Sequence, residues 1–278
     1  MLELRREFPL TGLLKIAGLA RSTYYYQQKV IQSGDKYLEL KAQIRAIFDR
    51  HKGRYGYRRI TATLRHDGCT VNHKTVQRLM CQMRLISWVR LKKYNAYRGE
   101  VGKVAPNLLE RRFEASKINE KWVTDVTEFK VGSQKLYLSP VLDLHNGEII
   151  AHEISKRPLF NMVSAMLKKA FARLKPFDKP ILHSDQGWQY QMPIYGQMLR
   201  QQSIVPSMSR RGNCLDNAAM ESFFGTLKSE LYHLNEFRDV DHLKSEIEEY
   251  IRYYNCERIK LGLGGLSPMA YREKFSFN

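Results

Sequence analysis

Between Asn119 and Ser184 the chain carries alternating strand and helix signals that constrain it to a mixed sheet. KWVTDVTEFKV alternates and is rich in β-branched residues, and KLYLSPVLDL follows a turn at Gly132–Ser133. Asn146–Gly147 marks a hairpin into EIIAHEISKR. These stretches predict three antiparallel strands. Residues 160–174 then place Met162, Met166, Ala170 and Leu174 on one helical face, and Pro176 ends the pattern. PILHSD reads as a short buried strand. A helix crosses over before it, so it is expected parallel to the first strand. A helix over 193–202, a last strand in SIVPSMS, and helices over 217–231 and 240–255 complete the pattern. The expectation is an α/β fold, a mixed five-stranded sheet flanked by helices.

Three acids stand out against this frame. Asp125 is expected in the middle of the first strand, Asp185 at the end of the fourth, and Glu221 one turn into a helix. Carboxylates in apolar elements are costly unless something positive binds them. The carboxyl ends of neighbouring parallel strands are where α/β sheets place ligands. An oxygen-only ligand set suits Mg²⁺ or Mn²⁺, and three carboxylates can hold two such ions. Nearby, Lys228 lies two helical turns beyond Glu221 on the same face. Asp216 and Asn217 are expected to cap the helix of Glu221, Asp143 to sit in a turn, and Glu128 at the surface.

The front of the chain is different. The net charge is +18, and residues 1–117 hold 25 Lys and Arg against 9 Asp and Glu, a net of +16. That asymmetry points to a polyanion partner, most simply nucleic acid. Leu40, Ile44, Ile47 and Phe48 share one helical face, RRITATLRHDG reads as a second helix, and Asn72 caps a third, HKTVQRLMCQMRL. In that third helix Val76, Leu79, Met80 and Met83 face the core, and His73, Lys74, Gln77 and Arg78 face outward. A capped helix with a polar, basic outer face is what a major-groove reader needs. Residues 1–35 give a fainter helix-turn-helix outline, with Gly18 as its break and Ser22 as a cap. Residues 87–117 lack periodicity and carry Lys92 and Lys93 among other cations. They are expected to form a linker that lies along a DNA backbone.

The domain plan is therefore an N-terminal helical segment (1–35), a helix-turn-helix domain (36–86), a basic linker (87–117) and an α/β domain with a helical extension (118–278). No run approaches the ~18 apolar residues of a membrane span. The four cysteines have no C-x-x-C spacing and read as reduced thiols, so a cytoplasmic, nucleoid-associated protein is expected.

Asp125, Asp185 and Glu221, with 35 residues between the last two and Lys228 seven further on, resemble the D,D-35-E signature of transposases and retroviral integrases. WVTDVTEF, LHSDQGWQY, SRRGNCLDNAAMESFFGTLKSE and YYNCERIKLGLGGLSPMAY resemble the second-reading-frame transposase of the IS-three family of bacterial insertion sequences. GRYGYRRI and VNHKTVQRLM are similar to its upstream helix-turn-helix region. The resemblance implies a ribonuclease H-like catalytic core and a Mg²⁺-dependent DDE transposase. Such an enzyme nicks element ends and passes the 3′-OH to other DNA, with Asp125, Asp185 and Glu221 as catalytic metal ligands. It also implies DNA contacts at Lys228, at Arg54, Arg58 and Arg59 in GRYGYRRI, and at Arg258, or contact of Arg258 with a second protomer. The implied partners are terminal inverted repeats, target DNA, further copies of the chain and an upstream reading-frame product. Two rival readings are a DNA-binding regulator without catalysis and a metal-dependent nuclease of the same fold.

Overall fold

A computed structural model describes residues 4–32, 34–88, 105–110, 112–210 and 214–275. The chain forms two compact units, Met1–Ile86 and Ser87–Asn278, taken here in turn. Among the described residues no helix is long and apolar enough to cross a membrane.

The first unit is helical: α1 (Leu10–Ile16), α2 (Arg21–Gln32), α3 (Leu38–Arg50), α4 (Tyr57–His66) and α5 (His73–Gln82). The last three pack on one another, around Ile44, Phe48, Ile60, Leu64, Val76 and Leu79. Burial follows the 3.6-residue period of each helix, which is why the apolar stripes were legible. The Asn72 side chain accepts the Lys74 N–H at 2.9 Å and so caps α5. Asn72→Ala is expected to cost about 1 kcal/mol in urea unfolding of this unit. Ser22 does not cap α2; the helix begins at Arg21, and Ser22 lies within its first turn.

The second unit is a mixed sheet between two helical layers. Its strands are β1 (Lys121–Thr124), β2 (Thr127–Val131), β3 (Gln134–Asp143), β4 (Ile149–Ser155), β5 (Ile181–Ser184) and β6 (Val205–Met208). Its helices are α6 (Phe160–Phe171), α7 (Pro193–Gln201), α8 (Ala218–Leu227), α9 (Val240–Cys256) and α10 (Pro268–Phe275). β4 and β3 are antiparallel, β3 pairs antiparallel with both β1 and β2, and β1, β5 and β6 are parallel. Alternation splits the sheet's side chains between the two layers. Trp122 and Val141 pack with α6 and α7; Val123, Phe129 and Leu138 pack with α8 and α9.

Six strands appear where five were expected, because the first is interrupted at Asp125–Val126. Thr124 faces Val141 and Thr127 faces Leu138. The register is thus unbroken, and Asp125 stands opposite Pro140. Proline offers no N–H to a ladder. The Pro140 carbonyl instead takes the Thr124 hydroxyl at 2.8 Å, and Asp125 is freed from regular pairing.

Asp143, expected in a turn, ends β3 and opens the turn that follows, and it is buried: it accepts the N–H groups of Asn119 (2.9 Å) and His145 (3.0 Å). One expectation is corrected. Residues 105–110, assigned to a linker along DNA, pack against β6: Leu108 N donates to Ser207 Oγ (2.9 Å), and Leu109 is buried. Lys92 and Lys93 lie outside the described residues. Glu128, by contrast, is partly exposed and pairs with Lys135 at 2.9 Å.

Candidate active site and nucleic-acid interface

β1 and β5 run parallel with Val123 opposite His183. Two residues further along that register, just past the end of each strand, come Asp125 and Asp185. They occupy the carboxyl ends of adjacent parallel strands, the position where α/β sheets hold ligands. Each acid engages a nearby backbone N–H with one oxygen: Asp125 Oδ1 accepts from Val126 (2.7 Å), and Asp185 Oδ1 accepts from Gly187 (2.9 Å). Glu221 sits in the first turn of α8, which packs on β1. There the helix N-terminus favours a carboxylate.

Asp125 feels both of the other acids. Burial, then the charge of Asp185, then that of Glu221 push the Asp125 carboxyl well above the usual range, against the Val126 N–H and Lys228. Burial also raises Asp185, against the Gly187 N–H, and raises Glu221. Lys228, at the end of α8, is held below the usual lysine range by burial, while Asp125 and Glu128 pull it up. Its ammonium stands 5.2 Å from the Phe129 ring centroid. Among the described residues no three His, Cys, Asp or Glu side chains are gathered closely enough to enclose an ion by themselves.

Sequence spacing did not reveal the scaffold around these acids. His183 is buried, its ring bracketed by Ser207 Oγ (2.8 Å) and Ser209 Oγ (2.9 Å), and burial lowers it to about 4. It is therefore a neutral tie between β5 and β6. Gln186 Nε2 donates to Ser209 O (2.9 Å). Asp216 is buried and accepts from Asn107 Nδ2 (2.9 Å) and from Arg210 Nε (3.0 Å) and N (3.1 Å), so it fastens a loop and does not cap α8. Asn217 holds the N-cap position, but its side chain makes no capping bond. It donates instead to Thr124 O at 3.2 Å, tying the start of Glu221's helix to the residue before Asp125. The only sequence signal for these ties was the run of polar residues in SRRGNCLDN.

On the first unit, His73, Lys74, Gln77 and Arg78 are exposed along the outer face of α5. The Arg78 guanidinium lies 5.0 Å from the Tyr37 ring centroid, and the His73 and Tyr57 rings stack at 6.2 Å. Arg58 is exposed, 5.7 Å over Tyr57, and Arg59 is half-buried over Tyr55 at 5.5 Å. The part-exposed rings of Tyr37 and Tyr57 thus lie beside Arg78, His73 and Arg58, whereas the Tyr55 ring under Arg59 is buried.

Both halves have recognisable relatives. The HTH-like domain family matches residues 36–93, and the integrase core domain family matches residues 115–214 and 221–275. The putative transposase InsK of insertion sequence IS150 from Escherichia coli K12 is 53% identical over 98% of this chain and 96% of its own length. The chain belongs to the IS-three family of insertion-sequence transposases. Transposase InsF of IS3A, from the same organism, is 32% identical over 96% of this chain and 95% of its own. The probable transposase of IS1353 from Shigella flexneri is 42% identical over 97% of this chain and 53% of its own.

The transposase is accordingly a DNA-strand-transferring enzyme of the DDE type, with a helix-turn-helix-like region and an integrase core. Two arginines suggested as its DNA contacts are otherwise placed. Arg54 is buried. Arg258 is buried as well, giving Nε (2.8 Å) and Nη2 (2.7 Å) to the carboxylate of Glu230. Two oxygens and two parallel N–H groups form a bidentate pair, which leaves neither a DNA phosphate nor a second protomer a claim on that face of the guanidinium.

Proposed function

We propose that Asp125, Asp185 and Glu221 jointly hold two divalent cations, Mg²⁺ or Mn²⁺, in a centre that cuts one DNA strand and joins its 3′-OH to another. The observation that carries this reading is the placement of Asp125 and Asp185 at the ends of adjacent parallel strands, with Glu221 on the helix packed on β1 and the charges of both Asp185 and Glu221 acting on Asp125. A divalent cation relieves that repulsion, and an all-oxygen donor set suits Mg²⁺. When bound, such ions stabilise the attacking and leaving oxygens of an in-line displacement.

The rest falls to the chain's own residues. The backbone N–H groups of Val126 and Gly187 hold one oxygen of each aspartate in place. Asn217 and Asp216 fix the start of α8 and so aim Glu221. Lys228, drawn toward Asp125, offers its ammonium to a DNA phosphate beside the scissile bond. In this scheme residues 118–278 are the catalytic domain, with residues 105–110 packed against its β6, residues 36–86 read the element ends, residues 1–35 are an added helical segment, and the basic stretch from 87 up to residue 105 is a connector. His73, Lys74, Gln77 and Arg78 enter the major groove, with Arg58 and Arg59 beside them on phosphate. Two ends must meet in one reaction, so the working form is a dimer or larger on DNA.

The test is strand transfer by purified protein on end DNA, with Mg²⁺ and with the metal chelated. Joined products that require the metal support the reading. Nicks without joining indicate a nuclease of the same fold. No reaction, even with the upstream reading-frame product supplied, indicates a regulator. On the DNA-binding side, Lys74→Ala is expected to lower the salt dependence of end binding by about one unit of slope, uniformly across sequences. Gln77→Ala is expected to relax discrimination at one base pair, costing about 1–3 kcal/mol there.

A further inference from the structure

Directly after Asp185 the chain makes a tight turn through Gln186, Gly187 and Trp188. Gly187 N donates to Asp185 Oδ1 (2.9 Å), Tyr190 N to Gly187 O (3.0 Å) and Gln191 N to Trp188 O (3.2 Å). A Cβ on Gly187 would stand 3.0 Å from Asp185 Oδ1, so the turn has no slack. The neighbours on both sides are tied down: Gln186 to Ser209 O (2.9 Å), and Gln189, itself buried, to Pro158 O (3.2 Å). Tyr190 is buried behind them. Trp188, between these anchored residues, is 53% exposed.

An indole left in water on a fixed loop has unused apolar area and an open π face. Three Cα–Cα steps separate it from Asp185, so the two Cα atoms are no more than about 11 Å apart. DNA bound at Asp185 would lie within reach of this ring. Every nucleobase presents a π face that an aromatic side chain can accept without sequence preference. The bases most easily unpaired are those beside a strand break.

We infer that Trp188 is a stacking platform for an unpaired nucleobase next to the phosphate on which the three carboxylates act. The inference rests on the strand-transfer reading of that site. Stacking offsets the cost of opening the end base pair, and it sets the strand at a fixed distance from Asp185.

The experiment compares fully paired element ends with ends mismatched at the positions flanking the scissile phosphate. Binding is read first, by fluorescence anisotropy with the metal chelated, so that no reaction is needed. The parent protein is expected to bind mismatched ends roughly 10-fold or more tighter than paired ends. Trp188→Ala loses that preference, and Trp188→Phe keeps most of it. Joining is read next with Mg²⁺. Trp188→Ala is expected to join paired ends roughly 10- to 100-fold more slowly and to recover on mismatched ends. Trp188→Ala with the parental binding preference overturns the inference. So does an equal loss on both substrates, which marks contact with another protein copy. If the parent joins neither substrate, the strand-transfer reading falls, and the binding preference still decides whether Trp188 stacks.

Discussion

Asp125→Asn, Asp185→Asn or Glu221→Gln is expected to lower Mg²⁺-dependent nicking and joining by on the order of 1,000-fold, with end binding retained. Several kcal/mol of charge stabilisation at the reacting phosphate is lost with any one of the ligands, and each 1.36 kcal/mol is tenfold in rate. A variant that joins ends at the parental rate removes that residue from the centre. The same substitutions make an opposite prediction for the metal-free fold. Burial holds all three carboxyls above the usual range, and Asp125 is raised further by Asp185 and Glu221. A carboxyl raised in the folded state stabilises the fold while it is protonated, below its unfolded pKa of about 4. That contribution is lost as pH rises through the higher folded value. In chelator, the parent's Tm is therefore expected to fall as pH rises from about 4, and Asp125→Asn is expected to fall less. Added Mg²⁺ should raise the Tm of the parent and leave that of Asp125→Asn nearly unmoved. A parent whose Tm does not respond to Mg²⁺ would count against the metal centre.

Arg258→Met is expected to destabilise the second unit by about 3–5 kcal/mol, read as a shift in urea midpoint. Arg258 and Glu230 are buried together, with side-chain exposures of 6% and 2%. Tyr250 Oη donates to the same carboxylate at 2.9 Å. Removing the guanidinium leaves Glu230 charged and uncompensated in the interior, which costs more than the pair itself contributes. Removing both, in Arg258→Met with Glu230→Leu, is expected to recover most of the loss. A double variant no more stable than the single one would assign the cost to packing. Glu230 lies in the π-helical turn Lys228–Tyr232 that follows α8. Strand transfer by Arg258→Met is therefore expected to fall along with stability, because Lys228 shares that turn.

What could be read without coordinates was whatever depends on period and spacing. The stripes of α3 and α5, the cap at Asn72 and the strand alternation that sends Trp122 and Val123 to opposite layers are local facts. So is the 35-residue gap before Glu221. The interruption at Asp125 was not legible, because it arises from Pro140 across the ladder, fifteen positions away.

The sequence by itself determined the chemistry and the layering: three acids at set intervals, a basic helical front half, and an α/β back half. Only the tertiary structure decided which polar side chains are spent inside the molecule. Arg258 and Arg54 look like DNA contacts in a linear chain, and Asp143 and Asp216 look like turn and cap residues; all four are buried. A polar group is buried only where its partner arrives. Glu230 reaches Arg258 from 28 residues away, and Asn107 reaches Asp216 from 109. Those meetings are set by how the sheet and helices pack, a global outcome that no local period encodes.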